Sequence, residues 1–297
     1  MNDALAERVA AALAAPMHVD VRAFAAVLAQ AAGAEAVLFY GSNLRTGSLD
    51  GVLDFYVLLP GPRESGIWPR VSYHEQDFGA ERLRAKVATM TSATFRAAAA
   101  GERLDTTVWA RFVQPSALAW HRDEAAAART RAAVAAAAVT AARLAVVLGP
   151  EEGTAEDYWR ALFRATYSAE FRVERAGREE SILAANRAHF TGLLPLALAA
   201  GGVAFARAGD RIRPQLGSVE RARVQGWWRR RRRLGKPYNF VRLIRASTTF
   251  EGAARYAAWK IERHTGVPVV LTAWRERHPL LAAPGVLWRV WRAKAAR

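Results

Sequence analysis

Apolar residues recur at helical spacing near the start of the chain and then collect into short continuous runs. The helical spacing over residues 4–15 and 20–32 predicts two Ala-rich helices. β-Branched and aromatic residues bounded by turn formers predict strands over residues 36–40 and 54–59. Similar patterns predict four further elements: strands over 71–74, 83–90 and 105–113, and a helix over 91–100. Together these elements indicate a mixed sheet flanked by helices across about residues 1–118.

The next part of the chain has helical spacing throughout. Residues 120–148 predict a long Ala/Arg helix or a pair of helices. Thr154 and Asp157 have the spacing of a capping pair, which predicts the start of a helix over residues 158–174. Residues 178–200 form another helical stretch, which a proline interrupts. We therefore expect a helical domain between the predicted sheet and the basic C-terminal part.

The C-terminal part combines helical spacing with clustered positive charge. The sequence Leu-Gly-Lys-Pro at residues 234–237 predicts a turn. Helices are predicted over residues 239–246, 252–263 and 284–296. The last of these carries two tryptophans among Arg and Lys, which is typical of a helix that lies at a membrane interface.

These patterns divide the chain into three regions: a sheet-containing domain over 1–118, a helical domain over 119–208 and a basic helical region over 209–297. The predicted fold class is α+β, with the mixed sheet first and a mainly helical C-terminal half after it. No window reaches about 18 uninterrupted apolar residues, so we expect no helix that spans a membrane.

The chain carries a large excess of positive charge. Its 297 residues include 43 Lys and Arg against 27 Asp and Glu, which gives a net charge of +16. Such a protein is expected to bind anions, namely nucleic acid, acidic lipid or nucleotide. Part of the excess is the arginine run at residues 229–233, which follows Trp227-Trp228. Acidic lipid headgroups are the preferred interpretation of this run, with RNA or a solvated loop as alternatives.

The residues that point to chemistry lie between the first two predicted strands. Tyr40-Gly41-Ser42 ends the first apolar run, and Asp54 opens the second. Gly41 lets the backbone approach a phosphate closely, and Ser42 can donate its hydroxyl to a phosphate oxygen. Asp54 can hold Mg²⁺, which prefers carboxylate and phosphate oxygens. Because the chain has no cysteine, thiolate metal sites and disulfides are excluded. The pattern therefore favours metal-assisted transfer of a nucleotide.

Several motifs in this region resemble those of a known superfamily. Tyr40-Gly41-Ser42 with Leu53-Asp54-Phe55 resembles the nucleotidyltransferases that include DNA polymerase β. More narrowly, it is similar to the mitochondrial-type phosphatidate cytidylyltransferases and their bacterial relatives. That family also has a lysine-led strand and an Ala/Gly-Arg-x-x-x-Pro element, which are similar to residues 84–88 and 110–115 here. The resemblance covers about residues 36–120 and implies a polymerase β-like nucleotidyltransferase fold.

The resemblance also implies an activity, a cofactor and partners. CTP and phosphatidic acid would react to give CDP-diacylglycerol and pyrophosphate, with Mg²⁺. Asp54 would hold the metal, and Tyr40-Gly41-Ser42 would bind the nucleotide phosphates. Lys86 and Arg111 would offset charge that develops on the transferred or leaving phosphate. The protein would be cytoplasmic and peripherally associated with the inner face of the membrane.

One departure from the family pattern concerns the second metal-binding carboxylate. The superfamily usually has Asp-x-Asp on this strand, and position 56 here is a tyrosine. The second carboxylate would then come from Asp50, four residues before Asp54, or from Asp105 or Glu102. Two other interpretations stay open. The protein could transfer a nucleotide to RNA or a small hydroxylated acceptor, or it could be an inactive nucleotidyltransferase-like binding module.

Overall fold

A mixed sheet of five strands organises the N-terminal half of the protein. The strands are β1 Ala36–Tyr40, β2 Leu53–Leu59, β3 Arg70–Phe78, β4 Glu81–Thr91 and β5 Ser116–His121. Their spatial order is β3-β4-β2-β1-β5. β1 pairs antiparallel with both β2 and β5, whereas β2 pairs parallel with β4. β3 and β4 pair antiparallel at the edge of the sheet.

Helices cover this sheet and then form most of the C-terminal half. The structure is a computed structural model that describes residues 3–67, 70–79, 81–169, 177–277, 282–285, 288, 289 and 292, without the side chains of residues 178, 243, 246–249 and 277. The helices around the sheet are α1 Asp3–Leu13, α2 Val19–Ala32, α3 Ser42–Thr46, α4 Ser92–Ala99, α5 Thr107–Phe112 and α6 Glu124–Leu148. Those that follow are α7 Ala155–Ala169, α8 Arg178–Ala185, α9 Arg187–Ala200, α10 Ser218–Thr249, α11 Ala253–Thr265 and α12 Ala273–Arg277. The predicted α+β class, with a mixed sheet first and a helical C-terminal half, is confirmed.

The two faces of the sheet belong to different clusters of the core. Successive residues of a strand point to opposite faces. Phe39 and Phe55 therefore pack on the α2 side, where the rings of Phe24 and Phe55 lie 6.0 Å apart. Leu38 and Tyr56 belong to the other cluster, which includes residues of α4, α5 and α6. Burial on both faces explains why β1 and β2 read as nearly continuous apolar runs.

Helix α6 is the central helix of the larger cluster. It packs against α1, α4, α5, α7, α9 and α10. It is long and apolar enough to cross a membrane, but 61% of its most apolar window is buried inside the protein. Its apolar composition is therefore explained by its place in the core.

The strand predicted over residues 105–113 is wrong, because this segment contains helix α5. The carboxylate of Asp105 accepts hydrogen bonds from the backbone N–H of Thr107 at 2.9 Å and from its hydroxyl at 2.6 Å. These bonds satisfy donors at the start of the helix. Val108 and Phe112, four residues apart, are both buried. The β-branched residues that suggested a strand thus lie within this short helix and at its two ends.

Strand β5 was not predicted, and it carries the sheet past the predicted boundary at residue 118. It pairs with β1 from Ser116, opposite Tyr40, to His121, opposite Ala36. The helix predicted to begin at residue 120 begins instead at Glu124. Asp123 caps it by accepting a hydrogen bond from the N–H of Ala126 at 2.7 Å. The segment 116–121 is too short and too rich in Ala for its strand character to stand out.

The helical region contains one confirmed cap and two features that the sequence did not predict. Thr154 and Asp157 form the predicted capping pair, with the Thr154 N–H donating to Asp157 Oδ2 at 2.9 Å. The helical stretch over 178–200 breaks at Asn186 and not at its proline, because Pro195 lies inside α9. A small three-stranded sheet was also missed; its strands are β6 Gly153–Thr154, β7 Ala204–Ala208 and β8 Arg211–Gln215.

The turn predicted at residues 234–237 is wrong, because helix α10 continues through it. A Cβ atom at Gly235 would lie 2.8 Å from the backbone oxygen of Ala169, at the end of α7. Glycine at this position therefore allows two helices to approach closely and does not mark a turn. Pro237 lies on the exposed side of the helix. The predicted helix over 284–296 falls largely outside the described residues, and so does Trp291; Trp288 is 55% exposed.

The arginine run at 229–233 lies on α10, and one of its members is buried. Arg231 is 5% exposed, and its guanidinium donates hydrogen bonds to the backbone oxygens of Gly101 and Arg103. It also lies 3.7 Å from the centre of the Trp227 ring. Trp228 is 4% exposed. The tryptophan pair is therefore part of the packing of α10 on the N-terminal half, and it does not support a membrane role for the run.

We predict that Arg231→Ala lowers the free energy of unfolding by about 2–4 kcal/mol. The loss has a physical reason: charged hydrogen bonds contribute roughly 1.5–3 kcal/mol each, and two buried carbonyl oxygens lose their donor. Urea unfolding followed by circular dichroism measures the change.

Arg230→Ala is the matched control, because the neighbouring Arg230 is exposed. It should change the free energy of unfolding by less than about 0.5 kcal/mol. Equal effects of the two substitutions would contradict the structural role assigned to Arg231.

Candidate functional site

Three polar side chains lie in one row across the sheet. The strand register places Tyr40 of β1 opposite Asp54 of β2, and Asp54 beside Lys86 of β4. Residues in register on neighbouring strands project from the same face of a sheet. All three predicted site residues therefore lie on the face of the sheet that carries α4, α5 and α6. They line an open pocket on that face.

The turn after β1 brings its backbone against the carboxylate of Asp54. Gly41 has φ +96° and ψ −163°, a conformation that is essentially restricted to glycine. A Cβ atom at this position would lie 3.1 Å from Asp54 Oδ2. Gly41 is therefore required both by its backbone conformation and by the close approach to Asp54. The sequence suggested that glycine at this position lets a phosphate approach the backbone. In the structure the carboxylate of Asp54 occupies the space beside Gly41.

Asn43 shapes the loop that joins this turn to β2. Its side chain is buried, and its Nδ2 atom donates hydrogen bonds of 2.8 Å to the backbone oxygens of Ser48 and Asp50. Residue 43 thus has a structural role in this loop. Ser42 precedes it and is exposed, with its hydroxyl 3.5 Å from Asn43 Oδ1. The Ser42 hydroxyl is therefore accessible to a ligand.

Arg111 is held over the site by two tyrosines. Its Nη1 atom donates a 2.8 Å hydrogen bond to the Tyr56 hydroxyl. Its guanidinium carbon lies 5.0 Å from the centre of the Tyr40 ring and 5.7 Å from that of Tyr56. Such cation–π contacts favour a fixed position for the guanidinium. Position 56, two residues after Asp54 on β2, is therefore a tyrosine that orients an arginine.

All six residues proposed for catalysis and nucleotide binding line one open pocket of about 320 Å³. The structure brings together Tyr40, Gly41, Ser42, Asp54, Lys86 and Arg111.

Other residues of the pocket were missed from the sequence. Gln114 and Pro115 line it on the α5 side, and Tyr167, Ile182 and Asn186 come from the helical region. Arg45 also lines it, three residues after Ser42 on the short helix α3. The i, i+3 spacing could have identified Arg45. No local signal in the sequence identifies the residues of α7 and α8.

The carboxylate of Asp54 is desolvated. Burial raises the pKa of Asp54 above its ordinary value, while the positive charges of Lys86 and Arg111 act in the opposite direction. Burial also lowers the pKa of Lys86; Asp54 opposes this, whereas Arg111, Lys260 and Arg242 add to it by repulsion. No described residue donates a hydrogen bond to the Asp54 carboxylate. The site therefore favours ligands that bring either a cation to Asp54 or negative charge to the surrounding cations.

The three candidates for a second carboxylate lie elsewhere. Asp50 is exposed in the turn before β2 and does not line the pocket. Asp105 is buried and binds Arg242 at 3.0 Å. Glu102 is paired with Arg63 at 2.9 Å. Within the described residues, Asp54 is the one carboxylate that lines the pocket, and there is no cluster of three or more His, Asp or Glu side chains that would hold a metal ion.

The sequence matches no protein-family model and no curated protein. The function is therefore inferred from the residues of the pocket.

We predict that Asp54→Asn stabilises the protein more at neutral pH than near pH 4. The folded-state pKa of Asp54 is raised above the ordinary value of 3.8. The stability that its neutral carboxyl provides is therefore present below pH 3.8 and is lost as pH rises through the folded-state pKa. Asparagine stays neutral throughout, so its advantage grows with pH. Urea unfolding at both pH values measures it.

Asp77→Asn is the control with the opposite sign. Hydrogen bonds from Arg82 lower the pKa of the exposed Asp77, so its contribution to stability is present above pH 3.8 and is lost as pH falls through the lower folded-state pKa. A pH-independent effect of Asp54→Asn would show that the Asp54 carboxyl is not desolvated.

Proposed function

We propose that the protein is a Mg²⁺-dependent nucleotidyltransferase that transfers CMP from CTP to phosphatidic acid. The products are CDP-diacylglycerol and pyrophosphate, and the reaction takes place at the cytoplasmic face of the membrane. The proposal includes a polymerase β-like nucleotidyltransferase fold. The observation that supports it best is the convergence of Gly41, Ser42, Asp54, Lys86 and Arg111 in one pocket. The choice of CTP and lipid comes from the resemblance of these motifs to the phosphatidate cytidylyltransferases.

The composition of the pocket suits an anionic acceptor. A hydroxyl acceptor must lose a proton as it attacks, and a general base assists that step. A phosphate monoester is already an anion and needs no such base. Asp54 is the one carboxylate among the described lining residues, and Lys86 and Arg111 flank it. This balance of charge favours a lipid phosphate over an RNA hydroxyl as the acceptor.

The residues of the pocket have separate roles in the proposed reaction. An oxygen of the lipid phosphate attacks the α-phosphorus of CTP, and the bond from that phosphorus to the β-phosphate oxygen breaks. Ser42 donates a hydrogen bond to a phosphate oxygen, and Arg111 presents a fork of donors that Tyr56 holds in place. Lys86 offsets negative charge as a point charge. Catalysis is thus mainly alignment and charge neutralisation.

The donor set at Asp54 fits a magnesium ion that arrives with the nucleotide. Mg²⁺ is often held by one or two carboxylates together with substrate phosphates and water. The Asp54 carboxylate accepts no hydrogen bond from a described residue, so its oxygens are available to a cation. When bound, Mg²⁺ would neutralise charge on the phosphate oxygens.

A second candidate function is a binding module that holds nucleotide without turning it over. The observation in its favour is that neither Asp50 nor Asp105 supplies a second carboxylate to the pocket. Tight binding of CTP without release of pyrophosphate would support this candidate.

We predict that the wild-type protein transfers label from CTP to phosphatidic acid vesicles in the presence of Mg²⁺. Each of the four labelled nucleoside triphosphates is incubated with vesicles, and lipid-linked label and pyrophosphate are measured. Asp54→Asn should abolish turnover, because it removes the proposed metal-binding carboxylate and keeps a side chain of nearly the same size and shape.

The control for folding is the unfolding curve of Asp54→Asn, which should remain cooperative. Full activity in that variant would contradict the assignment. Label transfer to RNA or to a small acceptor in place of lipid would redirect the function to that acceptor.

Helix α10 offers a surface for the proposed contact with acidic lipid. Phe240, Val241 and Ile244 are 58%, 46% and 52% exposed. Arg229 and Arg233 are also exposed. At about 100° per residue, Arg229, Arg233, Phe240 and Ile244 fall within about 60° of one another around the helix. A stripe that is basic at one end and apolar at the other fits a surface of anionic headgroups and acyl chains.

We predict that Phe240→Ser combined with Ile244→Ser weakens binding to phosphatidic acid vesicles at least about fivefold, because exposed apolar area that would enter the bilayer is lost. Vesicle co-sedimentation measures the binding. The matched control combines Val19→Ser with Val27→Ser on α2, where these valines are 72% and 42% exposed. α2 covers the other face of the sheet, so the control should bind vesicles like the wild type. Equal losses in both double variants would contradict a lipid-binding role for α10.

A further inference from the structure

Helix α11 is joined to the sheet beside Lys86. The backbone N–H of Tyr73 donates a 2.8 Å hydrogen bond to the oxygen of Glu251, just before the helix begins. Tyr73 is the register partner of Lys86 on the neighbouring strand. A Cβ atom at Gly252 would lie 2.8 Å from the Tyr73 oxygen, so this junction is closely packed. The position of α11 relative to Lys86 is therefore set by backbone contacts.

One face of α11 carries aromatic rings and cations toward this part of the sheet. Tyr256, Trp259, Lys260 and Arg263 have the spacing i, i+3, i+4, i+7, which places them on one side of a helix. The rings of Tyr256 and Tyr73 lie 5.5 Å apart. This side of the helix therefore faces β3 and its neighbour β4.

The aromatic rings of this face support the cations. The ammonium of Lys260 lies 5.8 Å from the centre of the Tyr256 ring. The guanidinium carbon of Arg263 lies 5.3 Å from the Trp259 ring, and that of Arg84 lies 5.6 Å from the same ring. Arg263 also reaches the turn before β2, since its Nη1 is 3.2 Å from the Cβ position of Gly51. The face thus extends from β4 to the loop that carries the candidate site.

Lys260 and Arg263 form no ion pair with a carboxylate among the described residues, whereas Lys86 has Asp54 as its neighbour on the adjacent strand. Arg84 and Arg242, in contrast, are paired with Glu75 at 3.4 Å and with Asp105 at 3.0 Å. Lys86 and Lys260 repel each other, and an anion between the cations of this region relieves the repulsion. The chain has four lysines among its 43 basic residues, and two of them, Lys86 and Lys260, lie here.

We propose that Lys260 and Arg263 form, with Lys86, a phosphate-monoester subsite on the far side of Lys86 from the nucleotide pocket. Its identification as the subsite for the acceptor phosphate rests on the proposed function. In that role Lys86 lies between the two anions and contacts both, while α11 supplies the charge on the acceptor side. The apolar stripe of α10, on the preceding helix, would receive the lipid to which the phosphate belongs.

The test measures two ligands in parallel by titration calorimetry: water-soluble dihexanoyl phosphatidate and CTP with Mg²⁺. We expect Lys260→Ala to raise the Kd for phosphatidate about tenfold, which corresponds to about 1.4 kcal/mol. The Kd for CTP should change less than about twofold. Lys260→Arg should keep most of the affinity for phosphatidate, because it retains the charge. Lys236→Ala is the matched control, since Lys236 is exposed on α10 outside the subsite.

The affinity for inorganic phosphate is also measured, because it distinguishes a site for a lipid phosphate from a site for free phosphate. Tighter binding of phosphatidate than of phosphate, with both weakened by Lys260→Ala, supports the acceptor subsite. Equal affinities would assign the site to free phosphate and overturn the acceptor role. Unchanged phosphatidate binding in Lys260→Ala, or an equal loss of CTP binding, would overturn the subsite itself.

Failure of the subsite and failure of the proposed function give different results. If the wild type labels lipid and Lys260→Ala leaves the KM for phosphatidate unchanged, the function stands and the subsite is wrong. If Lys260→Ala weakens phosphatidate binding but the wild type transfers no nucleotide, the phosphate-binding subsite stands and the proposed function is wrong.

Discussion

The partial burial of the Asp54 carboxylate is the constraint on which the site depends. Its oxygen lies so close to the backbone of Gly41 that a Cβ atom there would come within 3.1 Å. Burial of a carboxylate is costly unless charge or hydrogen bonds compensate it. Since no described residue donates a hydrogen bond to Asp54, the compensation comes from the charges of Lys86 and Arg111. The site thus keeps a destabilised charge in the pocket, which is typical of a position retained for function.

Tyr56 determines what kind of charge surrounds that carboxylate. Residues 54 and 56 lie on the same side of β2, so a second aspartate at position 56 would point toward the same region. The tyrosine is buried, and burial raises its pKa, so it stays neutral and its hydroxyl holds Arg111. The pocket therefore has no carboxylate at position 56, and a positive charge is fixed in its neighbourhood. This arrangement favours anionic ligands.

The sequence predicted the local elements of the sheet well because their signals are local. Continuous apolar runs identified β1 and β2, and the Gly-Ser turn with Asp54 identified the centre of the pocket. Segments with competing signals were misjudged. The β-branched residues of 105–113 lie in helix α5 and at its ends, where Asp105 accepts hydrogen bonds from Thr107, and Gly235 allows close helix packing and does not form a turn. The wall formed by α7 and α8 could not be predicted, because tertiary packing alone brings it to the sheet.

Several basic residues of the C-terminal half have structural roles that their sequence did not reveal. Of the basic residues on α10, Arg231 ties the helix to Gly101 and Arg103, and Arg242 ties it to Asp105. Both arginines therefore hold α10 on the sheet domain, and their charges are not available to a ligand on the surface. The chain then returns to β3 at Glu251 and starts α11 beside Lys86. Residues that the sequence assigned to a separate basic region thus approach a site built from residues 40–111. Lys260 and Arg263 on α11 thus add positive charge near the candidate site, and this local charge would favour an anionic ligand there.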